Sequence, residues 1–445
     1  MRWSTVLSWG AIPMVLLAQA PGKRLSLSDC LQRALATHPD IQVAQAQLAA
    51  AGAELTAAFG AYLPTLTLSA GYTRQLNVEG GRSINVGGQV IRLPSVDPNA
   101  YSLSLIGSYT LFNGFEREGA FQRAQASVAA AEAALSSARQ RVATEVIRQY
   151  MEVLKAERLI AVRQRSYDLA RQELERLRAL IEVGRQPASA VYAQEAELSK
   201  REVEWLQAKH QYDLAVARLR GLIGVSPTEV VEFADPSIPD SLAPEDVRAV
   251  ARQWGNFPEM LQYALQHRHD YRAAQHRLEA ARALQMTARS GYFPQLTASG
   301  GWSWANSALR DFSQLGRTFV GVQLSVPLFE NFRTNAQIQS AELQLRQAES
   351  ELEKLRQNIA TELQTAVLTL EGLASQLEAA QRSVRAAEIA AESVRQRYDI
   401  GAATQLEYFA AEAQRLSAVV TLIGLTYDCL AAQAQLRFVL GTVEP

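Results

Sequence analysis

Ala61-Tyr-Leu-Pro-Thr-Leu-Thr-Leu-Ser-Ala-Gly-Tyr72 returns 230 residues later as Gly291-Tyr-Phe-Pro-Gln-Leu-Thr-Ala-Ser-Gly-Gly-Trp302. Leu31-Gln-Arg-Ala-Leu-Ala-Thr-His-Pro-Asp40 returns at the same offset as Leu261-Gln-Tyr-Ala-Leu-Gln-His-Arg-His-Asp270. Beyond the next loop the offset becomes 217, relating Leu111-Phe112 to Leu328-Phe329, Val183-Gly184 to Ile400-Gly401, and Gly224 to Gly441. Self-similarity at a fixed spacing marks an internal duplication. The drop from 230 to 217 means that the first copy carries a loop 13 residues longer. The expected division is a first repeat over 21–224, a linker over 225–257 and a second repeat over 258–445. The linker is broken by Pro227, Pro236, Pro239 and Pro244, with room for a short helix near Glu245–Gln253.

After each Tyr-x-Pro the residues alternate. Leu66, Leu68, Ala70 and Tyr72 oppose Thr65, Thr67, Ser69 and Gly71. Tyr101, Leu103, Leu105, Tyr109 and Leu111 oppose Ser102, Ser104, Ser108 and Thr110. In the second repeat Leu296, Ala298, Trp302 and Trp304 oppose Thr297, Ser299 and Ser303, and Val320, Val322, Leu324, Val326 and Leu328 oppose Gly321, Gln323 and Ser325. A period of two predicts strands with one apolar and one polar face. Each is about 10 to 12 residues, the length that a tilted transmembrane strand requires. Tyr72, Tyr101, Trp302 and Trp304 sit near the loop ends, where an aromatic girdle would lie. Four strands are too few to close such a barrel, for which about eight is the lower limit. Several chains must therefore pool them if they cross a membrane, and the sequence leaves the number of chains open.

Two very long helices are expected over 115–181 and 332–399, flanked by shorter ones over 40–60 and 187–222. Phe121, Ala124, Val128, Ala131, Leu135, Ala138 and Val142 step by three and four, and Ile338, Ala341, Leu345, Ala348, Leu352, Leu355 and Ile359 repeat the pattern. This is a coiled-coil seam, much of it alanine, which lets helices approach closely. Each half reads as one long helix beside two shorter ones stacked end to end.

The chain has 445 residues, 48% apolar and 20% charged, with 44 basic against 45 acidic residues. That balance gives no footprint for nucleic acid. Residues 1–20 read as a secretory signal: Arg2, an apolar run from Val6 to Leu17, and Ala18-Gln19-Ala20 as the cleavage site. Pro21, just past that site, is disfavoured there. Cys30 follows Ser28-Asp29 rather than a lipid-attachment motif, so no lipid anchor is expected. No later segment reads as a run apolar and long enough to cross a membrane as a helix.

The joints Tyr62-Leu63-Pro64 and Tyr292-Phe293-Pro294, the strand exits Leu111-Phe-Asn-Gly114 and Leu328-Phe-Glu-Asn331, and the turns at Val183-Gly184 and Ile400-Gly401 resemble the TolC-like outer membrane efflux protein family over essentially the whole mature chain. The resemblance implies a mainly α protein with a four-stranded β contribution. Its duplicated long-helix hairpins would form a trimeric α-barrel, joined to a shared 12-stranded transmembrane β-barrel in outer-membrane lipid. It implies a passive exit duct served by a periplasmic adaptor (membrane fusion protein) and an inner-membrane transporter, with no cofactor.

The same resemblance makes Val183, Gly184, Arg185, Ile400, Gly401 and Ala402 the adaptor-docking tips, and Pro64 and Pro294 the barrel joints. Glu407 keeps the acid that opens the helix after the second tip, whereas the first-half equivalent is Ala190-Val191-Tyr192. Ala410 and Ala403 stand where relatives carry a second acid and a locking arginine. Glu407 is therefore the candidate periplasmic gate residue, against the plainer reading of a solvated surface glutamate. His267 and His269 are two apart, on different helix faces, and no cysteine or paired-carboxylate motif joins them or His276, so they read as surface residues. No nucleophile elbow, P-loop or zinc-protease motif is present to suggest an enzyme. The competing reading is a periplasmic coiled-coil adaptor or scaffold, which accounts for the helices but not for the two-faced strands.

Overall fold

The computed structural model describes residues 23–76, 83–92, 97–182, 188–229 and 231–443. The expected signal segment, and Val183, Gly184 and Arg185 of the first tip, lie outside the described residues. The first repeat runs β1 (Lys23–Leu25), α1 (Leu27–Thr37), α2 (Pro39–Gly60), β2 (Thr65–Arg74), β3 (Ser83–Val86), β4 (Gln89–Arg92), β5 (Asn99–Phe112), α3 (Glu116–Glu182) and α4 (Ala188–Leu222). The linker contributes β6 (Val231–Phe233) and α5 (Pro244–Arg252). The second repeat runs α6 (Phe257–His267), α7 (His269–Arg289), β7 (Gln295–Asn306), α8 (Phe312–Leu315), β8 (Arg317–Ser325), α9 (Arg333–Asp399) and α10 (Gln405–Leu440).

Local chemistry repeats with the sequence. Ser26 and Asp29 form a capping box at the start of α1, and Asn256 and Glu259 form the same box at α6. His38 and Arg268 then take extended backbone angles that break each first helix from the next. The two long helices are 67 residues each, about 100 Å at 1.5 Å per residue. Helix α3 packs against α2 and α4, α9 packs against α7 and α10, and α3 also touches α7 and α10. The seam is where the alternation placed it: Ala124, Leu135, Ala138 and Val142 are buried on α3, and Ala341 and Ile359 on α9.

Two apolar cores form. One gathers Leu25, Ile41, Tyr150, Leu219 and Phe233, and the other Val247, Ile359, Leu363, Leu370 and Leu436. The linker is tied into the first core because β6 pairs in parallel with β1. The Tyr150 hydroxyl donates to the Leu25 carbonyl (3.2 Å) at this crossing. Arg268, buried at the second core, is held by Asp270 (2.6 Å) and Glu362 (2.6 Å).

The four long strands form one antiparallel sheet in the order β2-β5-β7-β8. Its register places Leu68, Leu105, Trp302 and Thr318 in one row, and Leu66, Ala70, Leu103, Ala298, Val322 and Leu324 share that face. Ser69, Ser104 and Ser303 lie in a row on the other face. The end strands β2 and β8 are exposed along their whole length.

Three sequence expectations need correction. Strand β8 ends at Ser325, so Val326 and Leu328 lie past it; Pro327 has no N–H to donate to a ladder. Leu111 does not continue the alternation, because the register shifts between Thr110 and Phe112 and leaves it in a bulge. Within the loop after β2, β3 and β4 pair across Gly87 and Gly88, whose φ of 61° and 87° suit a tight hairpin. Helix α10 is long and apolar enough by composition to cross a membrane. Its Tyr427, Cys429, Leu436 and Leu440 are instead buried in the helical cores, and Asp428 meets Lys155 of α3 (2.9 Å).

Close approach of α3 and α7 depends on Gly119, where a Cβ would lie 2.5 Å from Thr287 Oγ1 and 3.1 Å from the Ala283 carbonyl. Gly119→Leu should lower stability by about 1–3 kcal/mol through overpacking. Gly221→Leu, at a helical site with open space, should not. Thermal melts followed by helical circular dichroism compare the two.

Candidate functional site

The end of α9 is shaped by backbone chemistry before any partner is considered. Gly401 adopts φ 76°, open to glycine at no steric cost. Its N–H donates to the Tyr398 carbonyl (3.0 Å), and the Ala402 N–H donates to the Arg397 carbonyl (2.7 Å). These two bonds make a Schellman stop. Ile400 is fully presented to solvent, at 80% exposure.

Helix α10 then starts with a reciprocal cap. The Glu407 N–H donates to Thr404 Oγ1 (3.2 Å), and the Thr404 N–H donates to Glu407 Oε2 (2.7 Å). The Thr404 N–H, followed by the Thr404 hydroxyl, holds the Glu407 carboxyl below its usual range. The carboxylate proposed from the sequence as a gate is thus engaged in starting its own helix, while remaining exposed at the tip.

Above the tip, a groove of about 600 Å³ separates the hairpin α3/α4 from the hairpin α9/α10. It is crossed by side chains from both. The Tyr398 hydroxyl donates to Glu173 Oε1 (3.0 Å), and Arg176 Nη1 meets Asp399 Oδ1 (3.0 Å). The Tyr398 ring stacks on Tyr408 at 5.0 Å between centroids, and the Arg176 guanidinium sits 5.5 Å from its centre. Burial, reinforced by the Glu173 charge, pushes the Tyr398 hydroxyl well above the ordinary tyrosine range, so it stays a donor.

The α3/α4 hairpin carries its own stitches. On α4, buried Arg201 holds Glu197 (2.5 Å) and Glu204 (3.4 Å), and Glu204 also takes Arg163 of α3 (2.6 Å). Tyr167 stacks on Trp205. Between the hairpins at the tip, the Arg176–Asp399 pair is nearly half exposed on both sides, and such pairs contribute about 0–1 kcal/mol.

At the opposite end Pro64 and Pro294 each stand between a helical turn and the first strand residue. The Arg117 guanidinium lies 4.5 Å from the Tyr62 ring centre and donates to the Thr110 carbonyl (2.9 Å), tying helix to strand. Where strand returns to helix, two successive residues are left-handed in each repeat: Gly114 (φ 68°) and Phe115 (φ 65°), then Asn331 (φ 50°) and Phe332 (φ 61°). Phe115 packs edge-on against Phe293 of the second joint at 6.2 Å.

Glu173, Arg176 and Tyr398 escaped sequence reasoning. A usable signal existed: the duplication breaks there, with Tyr398 and Tyr408 standing where the first repeat has Ile181 and Val191. Among the described residues no cluster of metal-ligating side chains occurs.

The profile for outer membrane efflux proteins matches residues 30–225 and 260–442. The chain is 23% identical over 427 residues to the outer membrane protein TolC of Vibrio cholerae, covering 94% of this chain and 91% of that protein. It is 24% identical over 249 residues to the probable outer membrane lipoprotein SilC of Salmonella typhimurium, covering 55% of this chain and about half of that relative (50%). The crystal structure of the outer membrane protein VceC from Vibrio cholerae shares the fold with a TM-score of 0.78 at 22% identity, covering 93% of this chain and 96% of that one.

The cap at Glu407 makes a pH prediction. Its carboxyl is depressed in the folded state, so its capping is complete at neutral pH and is lost as pH falls through that lowered value. Protection of the Thr404 amide from hydrogen exchange should fall on acidification. It should fall at neutral pH in Glu407→Ala and much less in Glu407→Gln, which can still accept the bond.

Proposed function

We propose that this chain, which belongs to the outer membrane efflux protein family, is one subunit of an outer-membrane exit duct. The carrying observation is the two-faced, four-stranded sheet whose end strands are exposed throughout. Its apolar face suits lipid, and its serine- and threonine-rich face suits a water-filled lumen. An open edge in hydrocarbon would strand backbone N–H and C=O groups. Pooled strands remove that edge. Three copies would give the twelve strands that the family resemblance implies, with the paired repeats 21–224 and 258–445, joined by 225–257, lining a helical tunnel. A periplasmic scaffold has no use for such a sheet.

In this reading the chain performs no chemistry and needs no cofactor. Substrate is handed over at the helical tips by an inner-membrane transporter and its periplasmic adaptor, which docks at Val183–Arg185 and Ile400–Ala402. Dilation requires the hairpins to separate. The Tyr398–Glu173 and Arg176–Asp399 ties are the contacts that must break, whereas the Arg201 cluster moves with its own hairpin. Exposed Glu407 supplies negative charge beside the opening, and a ring of copies would favour cations.

The mature protein should fractionate with the outer membrane and require detergent. Its mass should be near three times that of the processed 48.9 kDa chain. A stable soluble monomer would overturn the reading. In planar bilayers, Tyr398→Phe removes a bond to a charged acceptor, a loss of about 1.5–3 kcal/mol. The open-to-closed ratio should rise by about tenfold or more. Glu407→Gln should lower cation selectivity; unchanged reversal potentials would remove Glu407 from the pore.

A further inference from the structure

At the end of the sheet away from the helices, the second repeat folds its loop back onto a strand. Trp304 and Arg74 are equivalent under the 230-residue offset, each nine residues past the start of its strand. That is about 30 Å along the strand at 3.3 Å per residue. At a barrel tilt near 40° the rise is about 23 Å, close to the top of an apolar band about 25 Å tall. Both residues belong to the apolar face, because each stands two positions beyond Tyr72 or Trp302 on that face.

At that height the two repeats differ. Arg74 is exposed. Trp304 is only 2% exposed, because the Phe312 ring of α8 stacks on its indole at 4.2 Å between centroids. The Trp304 N–H has no acceptor in the chain, so apolar contact alone holds that stack. Gly316 lets the loop return closely: a Cβ there would lie 2.5 Å from Trp302 Nε1. Since Trp304 projects from the apolar face, α8 lies outside the sheet on that face and not over the serine-rich one. The segment then turns Leu309 (67% exposed), Phe312 (41%) and Leu315 (44%) outward. Arg310 stands among them, paired with Asp311 at 3.5 Å, with both side chains well exposed.

We propose that 307–316 is an outer-leaflet anchor that recognises a phosphate-bearing lipid. Leu309, Phe312 and Leu315 enter the upper acyl region beside the aromatic row, continuing the lipid-facing surface of the sheet. Arg310 and Arg74 meet the phosphates of the head groups. A guanidinium fork suits phosphate oxygens bidentately, and an exposed pair such as Arg310–Asp311 is weak enough to be exchanged for one. The aliphatic stem of Arg74 lets its charge reach the head groups while its backbone stays at the level of the apolar band. The inference rests on the reading that the sheet spans the outer membrane, and adds a lipid site on its outer rim.

Depth is tested with a bimane label on Leu315→Cys in the full chain, reconstituted in phosphatidylcholine vesicles with brominated acyl chains. Cys30 and Cys429 are fully buried and stay unlabelled. A label on Val322→Cys, on the apolar face of β8, reports whether the sheet itself is inserted. Both labels should be quenched. Quenching at Val322 alone would overturn the anchor and leave the barrel standing, and a blue-shifted Leu315 label in that case would name a neighbouring copy as its cover. Quenching at neither would overturn the barrel reading as well. Head-group recognition is tested by binding of phosphatidic acid to the protein in detergent. Arg310→Ala and Arg74→Ala should each weaken it about fivefold, and diacylglycerol, which lacks the phosphate, should bind more weakly than phosphatidic acid. Unchanged binding in both variants would overturn the phosphate contact. Displacement of phosphatidic acid by inorganic phosphate would assign the arginines to a free anion and overturn the lipid site.

Discussion

Backbone N–H and C=O groups along the outer edges of β2 and β8 have no partner in the four-stranded sheet of a single chain. Water could satisfy them, but hydrocarbon cannot, and each unmet group there costs several kcal/mol. The face that β2 and β8 share with Leu105 and Trp302 is nonetheless apolar, and in the proposed duct it meets lipid. The proposed assembly meets both demands by having other copies consume the edges. The chain's own geometry suits that proposed closure: two equivalent pairs of strands, each fed by a proline joint and left through a left-handed pair of residues.

The joints convert a sheet geometry into a helical one over very few residues. Left-handed backbone at Phe115 and Phe332 costs about 1–2 kcal/mol for each non-glycine residue. At Phe115 that cost is offset by edge-on contacts with Phe112 and Phe293. Below the joints, alanine-rich seams let 67-residue helices run close together. The α9/α10 hairpin ends in a turn set by local capping at Gly401, Thr404 and Glu407. Near the tip, ties between hairpins such as the half-exposed Arg176–Asp399 pair contribute only about 0–1 kcal/mol.

Periodicity made most of this legible. The alternation after Pro64 and Pro294 located the strands, and the three-four spacing from Phe121 to Val142 located the seam, because burial on one face leaves a strict pattern in sequence. Strand ends were less visible: Val326 and Leu328 keep the alternation, yet Pro327 cannot extend the ladder. The β1–β6 pairing joins residues some 200 positions apart through three-residue strands, too short to carry a period. The Tyr398–Glu173 contact depends on how two hairpins lean together, which neither helix encodes alone. Glu407 was visible as an acid near a tip, but its engagement by Thr404 depends on where α10 begins.

The central claim is that the edges of the sheet are buried by copies of the same chain. Residue-resolved hydrogen exchange on the membrane-inserted protein tests it most directly, because protection reports whether each amide has a lasting partner. The account predicts that the outward-pointing amides of β2 and β8 are protected as strongly as those of β5 and β7 at the sheet centre. Fast exchange confined to β2 and β8, with β5 and β7 still protected, would contradict it.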